Sequence, residues 1–382
     1  MLPWVFLALI PFAILVKFPR VKKKPFRSLW AGTPILTLPN LAAAEKILGI
    51  KSSTFVSGSY YITEDFDYNL SRKFGPYFKL FASYPAFVWA CWSFQRFHFF
   101  CDRGILPNTK PFNFNKAELI IYKLLKKEVL FYTYGADVRT RKKSIELGVY
   151  NCCMECQSVG KACVCDERLG IANTTFISRY ANAIFSMGDM IEYTPGSRNN
   201  LFFWPIDLYS DNGQKYVPSY PDQNNEKPMR IVHASNHRHF KGTRFLISAV
   251  ERLQARGVNV ELKLVEKIPN DKALEIYRTA DIVFDQCIIG FHGFLTIEAM
   301  AMGKPVMCYI RKPNEYLLHP EEMPIINCKA EEVESTIRAC CSDRRLLYER
   351  GVAGRRYVEK YFTLEAFAER LKRIYIDLEL KV

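Results

Sequence analysis

The sequence predicts an α/β protein of two Rossmann-like domains with a cleft between them, preceded by an N-terminal hydrophobic helix. Three observations lead there. The chain's 382 residues exceed what one compact core usually holds, which favours two domains of roughly 150–200 residues each. Short apolar runs alternate with helix-spaced segments, the pattern of βαβ units on a parallel sheet. A polar stretch at 209–229, with three prolines and no apolar period, reads as the linker between a domain at 28–208 and one at 230–382.

In the C-terminal half the elements follow in order. Residues 230–235 (RIVHAS) form a strand, 243–256 a helix ending at Gly257, and 258–265 (VNVELKLV) an alternating strand. A helix over 271–280, a strand over 281–285, a helix over 296–302 and a strand over 305–310 come next, and the chain is helical from Ala330. In the N-terminal half strands are expected at 28–32, 51–56, 97–100, 129–134, 184–187 and 201–204, with helices at 41–48 and 116–127. The aromatic run 84–100 (YPAFVWACWSFQRFHFF) reads mostly as core, and its density leaves room for a lipid-facing surface.

Residues 2–16 carry no charge and would make about 22 Å of helix, short of the roughly 30 Å hydrocarbon core. Lys17, Arg20, Lys22, Lys23, Lys24 and Arg27 follow, with no acid among residues 1–27. Charge after the apolar stretch, without a small-residue cleavage site, favours a membrane anchor over a cleaved signal peptide. The positive-inside rule then places the body on the cytoplasmic face. A buried N-terminal helix is the alternative. These six cations account for much of the net charge of +14, and the remaining basic residues are dispersed. No nucleic-acid-binding module accompanies them, so that class of partner is not expected.

The stretch 281–310 (DIVFDQCIIGFHGFLTIEAMAMGKPVMCYI) carries the chemistry. A buried strand leads through Gly290 and Gly293 into a helix start, where unpaired N–H groups attract phosphate at the carboxyl ends of parallel strands. Glu298, expected in the first helical turn, suits the two hydroxyls of a ribose; stabilising its own helix dipole is the competing reading.

The segment GFLTIEAMAMGKPV resembles the nucleotide-sugar signature of GT-B glycosyltransferases, in particular glycosyltransferase family 4. The resemblance covers about 230–309 well and the N-terminal half in outline. It implies a nucleotide-diphosphate sugar donor, no catalytic metal, and transfer with retention of configuration to a glycan or lipid-linked acceptor. It further implies a place in surface polysaccharide or lipopolysaccharide assembly. In the family a glutamate matched by Glu298 holds the ribose, and a second one stands near the donor sugar eight positions earlier, where this chain has Gly290. Asp285, Gln286 or His292 are the candidate substitutes. The loop HASNHRHFKGT matches the basic loop before the next helix, which implies Lys241, with Gly242 and Arg238, as diphosphate ligands; the family's usual arginine place is Asn236 here. Gly32 falls in a small-residue loop near the donor, and Gly135-Ala136-Asp137-Val138-Arg139 resembles a cleft-facing motif with Asp137 on a sugar hydroxyl. Asp137 as a turn residue paired with Arg139 or Arg141 is equally open. An epimerase, or an inactive scaffold of the same fold, stays as the alternative.

Five cysteines lie within 152–165, and Cys153, Cys156, Cys163 and Cys165 have spacings that one structural Zn2+ accepts, in a Cys-rich insert of the N-terminal domain. Reduced thiols in the protein interior are the other reading.

Overall fold

The computed structural model describes residues 25–59, 63–73, 75–161, 163–198, 204–210, 213–223, 226–235 and 237–382. The expected anchor at 2–16 lies outside them, as do most of the strand expected at 201–204 and Asn236. Among the described residues no helix is long and apolar enough to cross a membrane. Two compact units emerge. The first holds the described residues within Met1–Thr140, Val159–Phe202 and Ala368–Val382, the second those within Arg141–Ser158 and Phe203–Phe367.

The first unit is built on a six-stranded sheet in the order β3-β2-β1-β4-β5-β6. Its strands are β1 (Arg27–Gly32), β2 (Lys51–Val56), β3 (Tyr68–Asn69), β4 (Arg96–Phe100), β5 (Glu128–Tyr132) and β6 (Ala183–Phe185), and every pairing is parallel. Strands buried on both faces read as continuous apolar runs, and so β4 (RFHFF) and the centre of β1 are fully covered. The strand order reverses between β1 and β4, which opens a ligand crevice at their carboxyl ends. Two helices here have little sequence signal. Pro76–Ser93 is apolar nearly all round, which hides its period, and Glu167–Tyr180 starts where Asp166 accepts the N–H of Leu169 at 3.0 Å.

Residues from Ala368 join this unit through a buried polar cluster. The Tyr375 hydroxyl donates to Glu45 Oε1 at 2.6 Å, the Trp30 indole donates to Glu45 Oε2 at 2.8 Å, and the Arg96 guanidinium lies 3.7 Å above the Tyr375 ring. Burial works to raise the Glu45 pKa, but His98, Arg96 and Tyr375 overcome it and hold the group at about 2.

The second unit has a four-stranded parallel sheet in the order β10-β9-β11-β12, preceded by a two-stranded antiparallel hairpin. The hairpin joins β7 (Tyr209–Ser210) and β8 (Gly213–Gln214); the sheet is β9 (Met229–Ala234), β10 (Val260–Val265), β11 (Ile282–Gly290) and β12 (Val306–Ile310). Here the reversal falls between β9 and β11. Strand β11 runs to Gly290 rather than ending near Asp285, because Gln286 splints an irregular register. Its Nε2 donates to Tyr309 O at 2.6 Å, and its Oε1 accepts the N–H groups of Ile288 and Ile289 at 2.8 and 2.7 Å.

The units depart from the sequence boundaries in two further places. Tyr150 packs edge-on against Phe245 at 5.0 Å and Glu155 pairs with Arg244 at 2.7 Å, which places 141–158 in the second unit. The stretch expected as a linker is anchored to that unit at single points while most of its described residues stay exposed: Tyr216 is 2% exposed, and the Ser219 N–H donates to Met302 O at 2.9 Å.

Candidate functional site

In the second unit the carboxyl ends of β9 and β11 bring together His233, Lys241, Asp285 and the helix Phe294–Ala301. His233 is buried, with Nδ1 2.8 Å from the Phe284 carbonyl and Nε2 2.7 Å from Thr243 Oγ1. A carbonyl only accepts, so Nδ1 carries the proton and Nε2 accepts from the threonine. Burial pushes its pKa down to about 4, and the ring is neutral. Thr243 starts the helix Thr243–Ala255 just after Gly242, whose φ of 71° is left-handed and whose added Cβ would lie 2.6 Å from Cys287 Sγ.

Asp285 is fully buried and takes an ion pair from Lys241, the Gly293 N–H at 2.5 Å and the Thr296 hydroxyl at 2.7 Å. Burial acts to raise its pKa, and Lys241 with these donors brings it below the ordinary value. The carboxylate thus occupies the helix start where the Gly290–Gly293 loop is expected to receive phosphate. Arg238 is engaged too: its guanidinium forks onto Glu266 at 2.7 and 2.9 Å.

Glu298 is the fifth residue of its helix rather than part of the first turn, and it is 4% exposed. Its Oε1 accepts from Tyr216 at 3.2 Å and from Asn270 at 3.0 Å. Burial raises its pKa to about 7, against the opposing pull of these two bonds. His292 is 8% exposed, with Nδ1 3.2 Å from Gly293 O and its ring centroid 4.2 Å from that of Phe291. Gly290 has φ 98°, and a Cβ there would stand 2.6 Å from Arg311 Nη2, which donates to Ile289 O at 2.6 Å. Of the candidates to stand in for the missing glutamate, Gln286 is consumed as the β11 splint and Asp285 as the partner of Lys241.

The first unit gathers its own acids at the carboxyl ends of β1, β4 and β5. Thr33 Oγ1 donates to Asp102 Oδ1 at 2.5 Å, and the Tyr134 hydroxyl lies 3.2 Å from Asp102 Oδ2. Gly32, φ 104°, lies so close to Arg103 that a Cβ would come within 2.4 Å of its carbonyl oxygen. Asp137 is buried and accepts from the N–H groups of Tyr134 (3.0 Å), Gly135 (2.9 Å) and Cys101 (3.2 Å). It acts as a loop staple, the turn reading, although Arg139 turns instead to Asp189 at 2.8 Å. Burial, with Asp102 second, raises the Asp137 pKa to about 7.

No three of the sulfurs proposed for zinc, on Cys153, Cys156, Cys163 and Cys165, lie within 4.8 Å of one another. Among the described residues, only His319, Glu321 and Glu322 bring three ligand atoms within 4.8 Å of one another, all of them exposed. Tyr216, Asn270, His233 and Asp102 were without a sequence-derived role; only His233, polar within a buried strand, offered a signal.

No family model matches the chain, and no curated protein sequence does. Solved structures do resemble it. Sucrose-phosphate synthase from Thermosynechococcus elongatus superposes with TM-score 0.59 at 14% identity, over 94% of this chain and 99% of that one. WaaG, a glycosyltransferase involved in lipopolysaccharide biosynthesis, gives 0.53 at 12%, over 91% and 99%. MnaA from S. aureus, solved with UDP, gives 0.52 at 12%, over 94% and 98%. Likeness at this identity establishes the fold: two Rossmann-like units of the GT-B kind.

Proposed function

We propose that this protein is a glycosyltransferase that moves a sugar from a nucleotide-diphosphate donor to a membrane-proximal glycan or lipid-linked acceptor. The observation that carries the reading is Glu298, a buried acid on the helix whose start also bears the Lys241–Asp285 pair. A carboxyl with a pKa near 7 can accept from or donate to a ribose hydroxyl, and Asn270, half-buried beside it, extends the same polar edge. The ribose would take over bonds now made by Tyr216 or Asn270. Lys241 is one-fifth exposed and is the cation available to a diphosphate, with Asp285 as the carboxylate it leaves. The GFLTIEAMAMGKPV resemblance and the shared fold support this assignment of roles. The acceptor then belongs to the first unit, and retention of configuration, a cytoplasmic-face location through residues 1–27, and a part in surface polysaccharide or lipopolysaccharide assembly complete the proposal.

A thermal-shift panel of UDP- and GDP-sugars, followed by transfer assays with labelled donors, tests it. Stabilisation by one nucleotide sugar, lost in Glu298→Ala, is the expected result. Conversion of the nucleotide sugar to its epimer without acceptor would assign an epimerase instead. Absence of any nucleotide effect would leave a scaffold.

A further inference from the structure

A cavity of about 310 Å3 opens in the first unit beside the carboxyl ends of β2 and β4. Ligands of parallel α/β sheets bind at those strand ends. The helix Pro76–Ser93 contributes Lys79, Leu80 and Ser83, which share one face by their spacing, and Ser57 adds a hydroxyl just after β2. The rest of the wall is the loop 103–108 that follows β4. A buried acid holds this loop in shape. Glu118 accepts the N–H groups of Ile105 and Leu106 at 3.0 and 2.9 Å, and a Cβ on Gly104 would stand 2.4 Å from its Oε2. The wall is therefore set before any ligand arrives.

Two cations line the cavity without full counter-charge. The Lys79 ammonium lies so close to the turn after β2 that a Cβ on Gly58 would stand 2.9 Å from it, and among the described residues no carboxylate pairs with it. Arg103 is one-third exposed, and Asp102 is its one acid among the described residues, at 3.5 Å. That carboxylate is already engaged by the hydroxyls of Thr33 at 2.5 Å and Tyr134 at 3.2 Å. The wall is cationic, which selects an anion.

A second signal is unspent hydrogen bonding. Asn108 Nδ2 donates to Asp102 O at 2.7 Å, which fixes the orientation of the amide. Its Oδ1 is the atom left over, an acceptor enclosed without a donor. A buried acceptor calls for a donor, which a sugar hydroxyl supplies and a bare carboxylate does not. Between the polar groups the wall is Leu80, Ile105, Leu106 and Pro107, which suits the C–H face of a sugar ring. The volume is at the small end of the roughly 300–1,000 Å3 of ligand pockets, so one such ring enters rather than an extended chain.

We propose that this cavity binds a phosphorylated sugar, with its phosphomonoester facing Lys79 and Arg103, its ring against the loop 103–108, and a hydroxyl donating to Asn108 Oδ1. The inference deepens the glycosyltransferase reading by naming the chemistry of the acceptor. It rests on that reading for the role of acceptor, but not for the binding.

The full chain is titrated calorimetrically with the 6-phosphates of glucose, galactose and mannose, with the three free hexoses, and with inorganic phosphate. One of the hexose phosphates is expected to bind more tightly than its own hexose and than inorganic phosphate. Lys79→Gln should weaken it about tenfold, the usual worth of one charge-assisted hydrogen bond, and Lys79→Arg should restore most of that. Ser57→Asp adds an anion to the same wall and should abolish binding, with the melting temperature unchanged in all three variants. Excess UDP should leave the binding intact. The methyl glycoside of the bound hexose phosphate assigns the source: equal affinity means a phosphorylated residue of a glycan, lost affinity a free sugar phosphate, and both keep the site. Failure of all three hexose phosphates, equal binding of free hexose or of inorganic phosphate, or indifference to Lys79→Gln overturns the proposal. So does displacement by UDP, which would place the ligand beside Lys241 in the second unit. A chain that is stabilised by a nucleotide sugar but binds no hexose phosphate loses this site alone; the reverse result removes the transferase reading and leaves the site.

Discussion

The hydroxyl of Tyr216 stands 3.2 Å from Oε1 of Glu298, 82 residues further along the chain. A residue from a polar, proline-rich segment therefore covers the acid with the best claim to the nucleotide. Tyr216 is itself anchored, since Arg355 Nη1 donates to its carbonyl oxygen at 2.8 Å. Removing the hydroxyl in Tyr216→Phe takes one donor from a buried carboxyl and should raise the Glu298 pKa further. It should also ease access for a ribose, so we expect tighter nucleotide binding at neutral pH despite a lower melting temperature, read by calorimetry and thermal melting.

Glu298 also sets a pH dependence. Its folded pKa of about 7 exceeds the ordinary 4.5, so the folded state holds a proton the unfolded chain has released. The stabilising contribution is complete below pH 4.5 and disappears as pH rises through 7, on the order of 3 kcal/mol at most. Glu118 and Asp137 are buried with pKa values also near 7, and they act in the same direction. Melting temperature should therefore fall between about pH 5 and 8, and Glu298→Gln should flatten part of that fall.

Lys241 and Asp285 can be separated by a double-mutant test. Lys241→Met leaves a buried carboxylate without its cation and should cost about 3–5 kcal/mol. Adding Asp285→Asn removes the stranded charge, while the amide oxygen can still accept from Gly293 and Thr296, so the melting temperature should largely recover. Diphosphate affinity should not. Recovery of UDP binding in the double mutant would remove Lys241 from the diphosphate site.

Tyr375 tests how the last residues hold the first unit. Tyr375→Phe deprives Glu45, fully buried, of a 2.6 Å donor and should cost about 1–3 kcal/mol in chemical denaturation. Glu45 sits at about 2, below its ordinary 4.5; its contribution is present above pH 4.5 and is lost as pH falls through 2. The penalty of Tyr375→Phe should thus be largest near neutral pH and shrink in strong acid.

Legibility followed the range of the interactions. Strands β1, β2, β4, β9 and β12 stood out because buried parallel strands are short apolar runs with sharp ends. Lys241, Gly242, Gly290, Gly293 and Glu298 stood out as candidates because they lie in two local segments, around the β9 and β11 ends, that carry the resemblance. Their partners were not, since Tyr216, Asn270 and the Lys241–Asp285 pairing join positions 28 to 82 residues apart. Gln286 looked like a ligand and proved a backbone splint, a role set by the β11 register. The helix Pro76–Ser93 was hidden because it is apolar nearly all round.

Gly290 supplies the last prediction. The position where the resemblance places a glutamate has φ 98°, a conformation that side chains rarely adopt, and a Cβ there would meet Arg311 at 2.6 Å from Nη2 and 3.1 Å from its Cβ. Introducing that glutamate as Gly290→Glu should therefore not create a donor-sugar contact. It should cost about 1–3 kcal/mol through backbone strain and displace the Arg311 guanidinium from the Ile289 carbonyl. Gly290→Ala should carry most of the same penalty, because the strain belongs to the backbone and Cβ rather than to the carboxylate. Equal melting temperatures for wild type and Gly290→Ala would show that the loop rearranges, and a rise in transfer rate for Gly290→Glu would put the glutamate back among the groups this site can use.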